Sequence, residues 1–372
     1  MSDDKSKPRY LLDSYLEWSK GQGIPLVDGV AVDLNNVATE SWTRLGDNCQ
    51  AAFVHLRGRG DFVALQVIEL PPGASTDMTR HLYDEVFFVL SGNGSTAVEL
   101  GDARTTSFEW GPRALFSPPL NARFRLFNAS GREPARLVCA SNLPFLMNVF
   151  REERFLFDNP FRFPERVGRD AYFSGEGDFL SLKPGSHMWE TNFVPDLGAL
   201  DLPEWETRGA GSRNLKIILA DSAMHAHTSE MPVGSYKKGH RHGPGAHVFA
   251  VTGSGYTLMW NEGNAEFERH EWRHGFVFAP PDGMFHQHFN TGSQPARYLA
   301  VSLGSHRYPV LARKVERKTR PEASVNDGGI QINYEEQDRR IHQIWLAELA
   351  KTGVPSKMGK YFDEAKIRKE LA

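Results

Sequence analysis

Only two of the 372 residues are cysteines, Cys49 and Cys139, and they form no C-x-x-C pair. No disulfide framework is expected, and a reducing compartment suits the chain. No apolar run approaches the roughly 20 residues of a membrane span. Met1 to Arg9 is polar and charged, with no apolar stretch behind it, so no secretory signal is expected and the chain reads as soluble and cytoplasmic. Charge of one sign is scarce too. Lys and Arg number 43 against 46 Asp and Glu, a net charge of −3, which argues against nucleic acid or an anionic membrane as partner. The short basic stretch Lys237, Lys238, His240 and Arg241 is too small for a phosphate patch. What is plentiful is glycine (34), proline (22) and apolar material (40%), enough for sizeable cores interrupted by many tight turns.

The chain repeats itself at an offset of about 161 residues. Pro71-Pro-Gly73 matches Pro232-Val-Gly234, and Glu85 to Gly92 matches Ala246 to Gly253. Pro118-Pro119 and Asn128 match Pro280-Pro281 and Asn290, and Pro134 to Arg136 matches Pro295 to Arg297. Within each copy, short β-like runs such as Phe62–Leu70, Val86–Leu90 and Phe276–Ala279 end in Gly, Pro or Asn, the pattern of a sandwich or barrel. Two barrels, over residues 50–145 and 211–308, follow from this. Outside them lie an N-terminal extension (1–49), a Phe- and Pro-rich connection (146–210) long enough to wrap its neighbours, and a C-terminal tail (309–372). A helix is expected near Tyr10 to Ser19, with Leu11, Leu12, Tyr15 and Leu16 on one face. Another is expected in the tail, with Ile341, Ile344, Trp345 and Leu349 on one stripe and Gly353 and Pro355 as its stop. Such helices pack on a barrel or on a second subunit, and a homo-oligomer, dimer or tetramer, is expected.

The second copy reads Gly234-x5-His240-Arg-His242, then Gly275-x5-Pro281-Asp-Gly283-Met-Phe-His286-Gln-His288-Phe-Asn290. Residues two apart on a strand share a face, so His240 and His242 point into a barrel where a second strand brings His286. Three neutral imidazoles suit Zn, Fe, Cu, Ni or Mn.

Here the sequence resembles the cupin superfamily, with its motifs G-x5-H-x-H-x3/4-E-x6-G and G-x5-P-x-G-x2-H-x3-N. The second motif matches at Gly275, Pro281, Gly283, His286 and Asn290. The first matches at Gly234, His240, His242 and Gly253, with Ala246 in place of Glu. The resemblance implies an all-β bicupin, two double-stranded β-helix (jelly-roll) barrels with helical extensions at both ends, and one divalent metal held by His240, His242 and His286. His247, beside the missing Glu, is a candidate fourth ligand if the Gly243-Pro244-Gly245 stretch bulges; strict alternation from Ala246 points it away.

Without the carboxylate the ion keeps its full charge and several open positions, which favours a bidentate anionic substrate. The run His240-Arg-His242-Gly-Pro-Gly-Ala246 is similar to gentisate and 1-hydroxy-2-naphthoate dioxygenases, although their working site is generally in the first barrel. That resemblance implies Fe(II)-dependent cleavage of a hydroxylated aromatic acid with O2. The alternatives are a non-oxidative Mn, Zn or Ni enzyme (hydrolase, decarboxylase, lyase or isomerase) and a non-catalytic small-molecule-binding cupin. In the first copy Thr79 and Phe124 stand at two ligand positions, leaving only His81 and Glu85, so that barrel is expected to be structural or to bind a metal-free ligand. His288 is a candidate catalytic base or second hydrogen-bond partner. His225, His227, Tyr236 and Trp260 are candidate pocket residues, set against ordinary core roles.

Overall fold

The structure, a computed structural model, describes residues 12–101, 104–183, 186–305, 307–308 and 322–371. Its strands form two jelly-roll barrels. In the first, the strands Gln50–Leu56, Ala64–Leu70, Ala135–Ser141, Glu85–Ser91 and Leu115–Phe116 make one sheet. A smaller sheet, Arg123–Asn128, Gly94–Gly101 and Arg104–Trp110, covers it. The second barrel repeats the plan. Arg213–Leu219, Met224–Met231, Ala296–Leu303, His247–Thr252 and Phe276–Phe278 face the sheet of Glu268–Arg273, Ser254–Trp260, Phe285–Asn290 and Gly239–His240.

The two large sheets pack on each other. One apolar core joins Val54, Leu65, Phe88 and Val138 of the first barrel to Ile217, Ala226, Phe249, Leu299 and Val301 of the second. This explains the unbroken apolar run of Glu85–Ser91. Phe87 and Val89 fill the first barrel while Val86, Phe88 and Leu90 fill the contact between barrels, so both faces are dry and the polar alternation of a half-wet strand disappears.

The repeat extends further than the sequence reading allowed. Leu26–Gly29 pairs in parallel with Gln50–Leu56 (Leu26 opposite Phe53), and Ser186–Thr191 pairs in parallel with Arg213–Leu219 (Met188 opposite Lys216). The next few residues cross to the other barrel: Ala31–Asp33 adds to Phe276–Phe278, and Phe193–Val194 adds to Leu115–Phe116. Residues 26–33 and 188–194, expected to lie outside the repeat, are therefore a further matched pair, and each ties the two barrels together.

Two details show why the motif residues persist. Asn128 Nδ2 donates to the carbonyls of Leu70, Pro71 and Glu133 at 2.9, 3.0 and 2.9 Å, and Asn290 Nδ2 donates to those of Met231, Pro232 and Gln294 at 3.1, 3.2 and 3.0 Å. The motif Asn is a clip between turns, its two amide hydrogens shared among three carbonyls. At the turn held by Gly283 (φ 71°), the first copy has Asn121 at φ 56°, a residue that tolerates the left-handed region, so the turn survives the loss of its Gly.

The N-terminal helix spans Ser14–Lys20, capped by Asp13, and buries Tyr15 against Leu143, Met147 and Leu156. The expected start at Tyr10 and Leu11 lies outside the described residues. The tail helix, Arg339–Thr352, starts at the cap Asp338 and stops at Gly353 (φ 70°). Its stripe of Ile341, Trp345 and Leu349 lies on Tyr256, Phe285 and Phe289, the outer face of the smaller sheet of the second barrel. No described helix is long and apolar enough to cross a membrane.

Candidate metal centre

In the second barrel, alternation sorts the strand Phe285–Asn290. Phe285 and Phe289 lie outside under the tail helix, whereas His286 and His288 lie inside. His240 pairs directly with His286 across the sheet, and the chain then bends so that His242 closes the ring. Ring centroids lie 4.2 Å apart for His240–His286, 4.7 Å for His242–His286 and 5.9 Å for His240–His242. One nitrogen from each of the three lies within 4.8 Å of the other two.

The hydrogen bonds determine which nitrogen is offered. His240 Nδ1 faces the carbonyl of Lys238 at 3.3 Å, His242 Nδ1 that of Gly243 at 2.8 Å, and His286 Nδ1 that of Met284 at 3.3 Å. A carbonyl can only accept, so each Nδ1 carries the proton and each Nε2 keeps its lone pair. Burial, reinforced by the neighbouring imidazoles, pushes His240 and His286 well below the ordinary histidine range, so both are neutral at pH 7. Three clustered imidazoles, each with Nδ1 turned to a backbone carbonyl, fit a divalent transition metal.

His288 lies next inward, its ring 5.4 Å from His286, with Nδ1 3.0 Å from Thr257 Oγ1. Burial first, then the Lys237 charge, pulls its pKa to about 3. A group so reluctant to take a proton suits hydrogen bonding better than general base catalysis. Tyr298, which the sequence reading did not single out, follows at 5.2 Å from His288, then His227 at 6.1 Å from Tyr298, with His225 Nε2 2.9 Å from His227 Nδ1. His225 and His227 therefore share the file of rings that runs from the three histidines along the barrel interior.

Three other candidates fall elsewhere. His247 sits on the opposite face of its strand from Val248 and Ala250. It is fully buried near His55 and Arg59 at the contact between barrels, with Nδ1 3.1 Å from the Gly245 carbonyl. The Gly243–Gly245 loop does not flip the register, so the fourth-ligand expectation fails. Tyr236 points outward, its hydroxyl 2.9 Å from His342 Nδ1 and 2.8 Å from Gln337 Nε2 under the tail helix. Trp260 stacks on Phe285 in the same outer cluster. Both are packing residues and not pocket walls, because alternation along their strands turns them away from the histidines.

In the first barrel Thr79 pairs with Phe124 where His240 pairs with His286. His81 Nε2 lies 2.9 Å from Glu85 Oε1, and Cys139 Sγ donates to Glu85 Oε2 at 3.0 Å. The two remaining ligand types thus occupy each other. A cavity of about 430 Å³ fills the space, walled by Trp42, Phe87, Phe124 and Phe157.

No family profile matches the chain, and no curated protein matches it. Solved structures resemble it in fold. The oxalate decarboxylase of Lactobacillus farciminis, in complex with formate, is 14% identical with TM-score 0.49, covering 76% of this chain and 86% of that one. A mutant of the Bacillus subtilis oxalate decarboxylase OxdC is 13% identical with TM-score 0.48, covering 75% and 78%. A further structure of the Bacillus enzyme, from work on its Mn(II) centres, is 14% identical with TM-score 0.46, again covering 75% and 78%.

Proposed function

We propose that the second barrel is the active site of a metal-dependent enzyme that acts on a small anionic substrate. The observation that carries this reading is the clustering of His240, His242 and His286: every Nδ1 faces a backbone carbonyl, and one ring nitrogen from each lies within 4.8 Å of the other two. A divalent ion held there would supply Lewis-acid charge and open coordination positions for a bidentate anion. The chain's own contribution is to fix the tautomers, keep His240 and His286 neutral and hold the site inside an apolar barrel lined by Met259, Phe278 and Met284. His288 stands beside the ligands, hydrogen-bonded to Thr257, in a position to orient a bound group.

Two chemistries use such a centre, and they differ in whether dioxygen is consumed. The resemblance of the His240–Ala246 run to ring-cleaving dioxygenases supports Fe(II) and a hydroxylated aromatic acid. The non-oxidative alternative is decarboxylation or lysis of a small carboxylate with Mn(II). What the three clustered histidines support is the divalent metal, and iron has only the resemblance behind it. The full-length protein, stripped of metal, would be loaded anaerobically with Fe(II) or Mn(II) and given ortho-hydroxy aromatic acids or short carboxylates. Oxygen uptake with Fe(II) would establish the first chemistry, and product release without oxygen uptake under Mn(II) the second. If His286→Ala retains a full equivalent of metal, the ligand set is wrong and the enzymatic reading falls with it.

A further inference from the structure

Lys237 is the one buried lysine described beside the metal centre. From Tyr236 to His240 the chain takes four steps, while the partner strand from Phe289 to His286 takes three. One residue is therefore extra, and the resulting bulge changes which side chains face inward. Tyr236 points out, His240 points in, and Lys237 also points in. Its backbone is fixed on both sides: the N–H donates to the His288 carbonyl at 3.0 Å, and the carbonyl accepts from Gln287 Nε2 at 2.8 Å.

The side chain is 2% exposed, and its Nζ has no hydrogen-bond partner among the described residues. It lies 5.8 Å from the ring centre of Tyr298, whose ring is in turn 5.2 Å from His288. The nearest carboxylate that acts on it, Glu230, is already engaged twice by Arg297, at 2.6 and 3.1 Å. Arg208 adds a second positive charge that acts on Lys237, His240 and His286. A buried amine with no anion beside it is costly to ionise, and a carboxylate arriving from outside would offset that cost.

We propose that Lys237 is the substrate's second anchor: its ammonium receives a carboxylate from a ligand whose other end meets the three histidines, so the ligand is a small dianion, a dicarboxylate or a carboxylate bearing a second chelating oxygen. This rests on the enzymatic reading of the site and deepens it. The charges agree with it. A divalent ion and Lys237 would both bring positive charge to the barrel, and no carboxylate belongs to the ligand set, so a monoanion would leave much of that charge unbalanced. Burial and the Arg208 charge pull the Lys237 pKa to about 7, and an arriving carboxylate would draw the proton back onto it.

Malonate and acetate serve as probes, titrated calorimetrically into the full-length protein both loaded with Mn(II) and stripped of metal. Lys237→Met should weaken malonate binding by about 10- to 100-fold in both forms, while Lys237→Arg holds it within a few-fold. Lys237→Met should also melt at a higher temperature than the parent, because it removes an unpaired buried charge, whereas a lysine with a structural role would give a lower melting point on replacement. An unchanged malonate affinity in Lys237→Met overturns the proposal, as does a preference for acetate over malonate in the parent. Because the metal-free arm requires no ion, a protein that fails to bind metal still reports on Lys237. Conversely, a protein that binds Mn(II) through its histidines but ignores malonate refutes only the second anchor.

Discussion

His247 offers a sharp test of how the sheet directs its side chains. It is fully buried at the contact between the barrels, its Nε2 has no hydrogen-bond partner among the described residues, and burial is the main cause that pulls its pKa from 6.5 to about 4. In the unfolded chain it titrates near 6.5. Between these values the unfolded state binds more protons than the folded one, so stability falls as pH drops through 6.5 and levels off below 4. At pH 5 the gap corresponds to about 1.5 pH units of linkage, or about 2 kcal/mol. His247→Phe keeps the ring's bulk and removes the titration. It gives up one hydrogen bond to the Gly245 carbonyl, a cost of about 1 kcal/mol at neutral pH. Urea denaturation of the metal-free parent and variant at pH 7.5 and 5.0 measures the difference, and the other buried histidines cancel because both proteins carry them. The variant should lose about 2 kcal/mol less than the parent over this interval. Equal losses would show that His247 is not the buried neutral group described. A fall in metal affinity would show instead that it reaches the metal centre.

Three further outcomes follow from the same geometry. Asn290→Ala removes an amide whose two hydrogens serve three turn carbonyls and should destabilise by about 2–4 kcal/mol in denaturant, and Asn128→Ala should do the same in the first barrel, since its contacts are equivalent. Trp345→Ala empties the fully buried centre of the tail-helix contact, costing about 3–5 kcal/mol, and hydrogen exchange should show the tail helix opening before the barrel strands. Because His240 and His286 are neutral well below pH 6.5, metal binding by these two should release no protons at pH 7, and calorimetry in buffers of different ionisation enthalpy should read at most one proton per ion.

The sequence made the duplicated barrels legible because glycine, proline and asparagine recur at the same turns, where backbone geometry leaves little choice. The three histidines were legible because alternation on a strand is strict. The same rule placed His247 on the wrong side for a ligand, and the structure agrees with the rule over the bulge that would have rescued it. What stayed hidden depends on pairing that no single segment displays. Tyr236 and Trp260 pass for pocket walls until the tail helix is seen to cover their face of the sheet. Lys237 passes for surface charge because the bulge that turns it inward appears only when Tyr236 and His240 are matched against Phe289 and His286. Residues 26–33 and 188–194 share too little chemistry to be aligned by eye, since a strand at a sheet edge is held mainly by backbone hydrogen bonds.

Those exchanged edge strands bear on what counts as a unit. Each copy lends Ala31–Asp33 or Phe193–Val194 to the sheet of the other. A half cut free would keep an arm with nothing to clasp and expose a sheet margin that only another half can cover. The arrangement is that of a two-fold dimer whose subunits trade arms, written as one continuous chain. Its two halves can therefore differ, one carrying the three histidines and the other not, without being able to part.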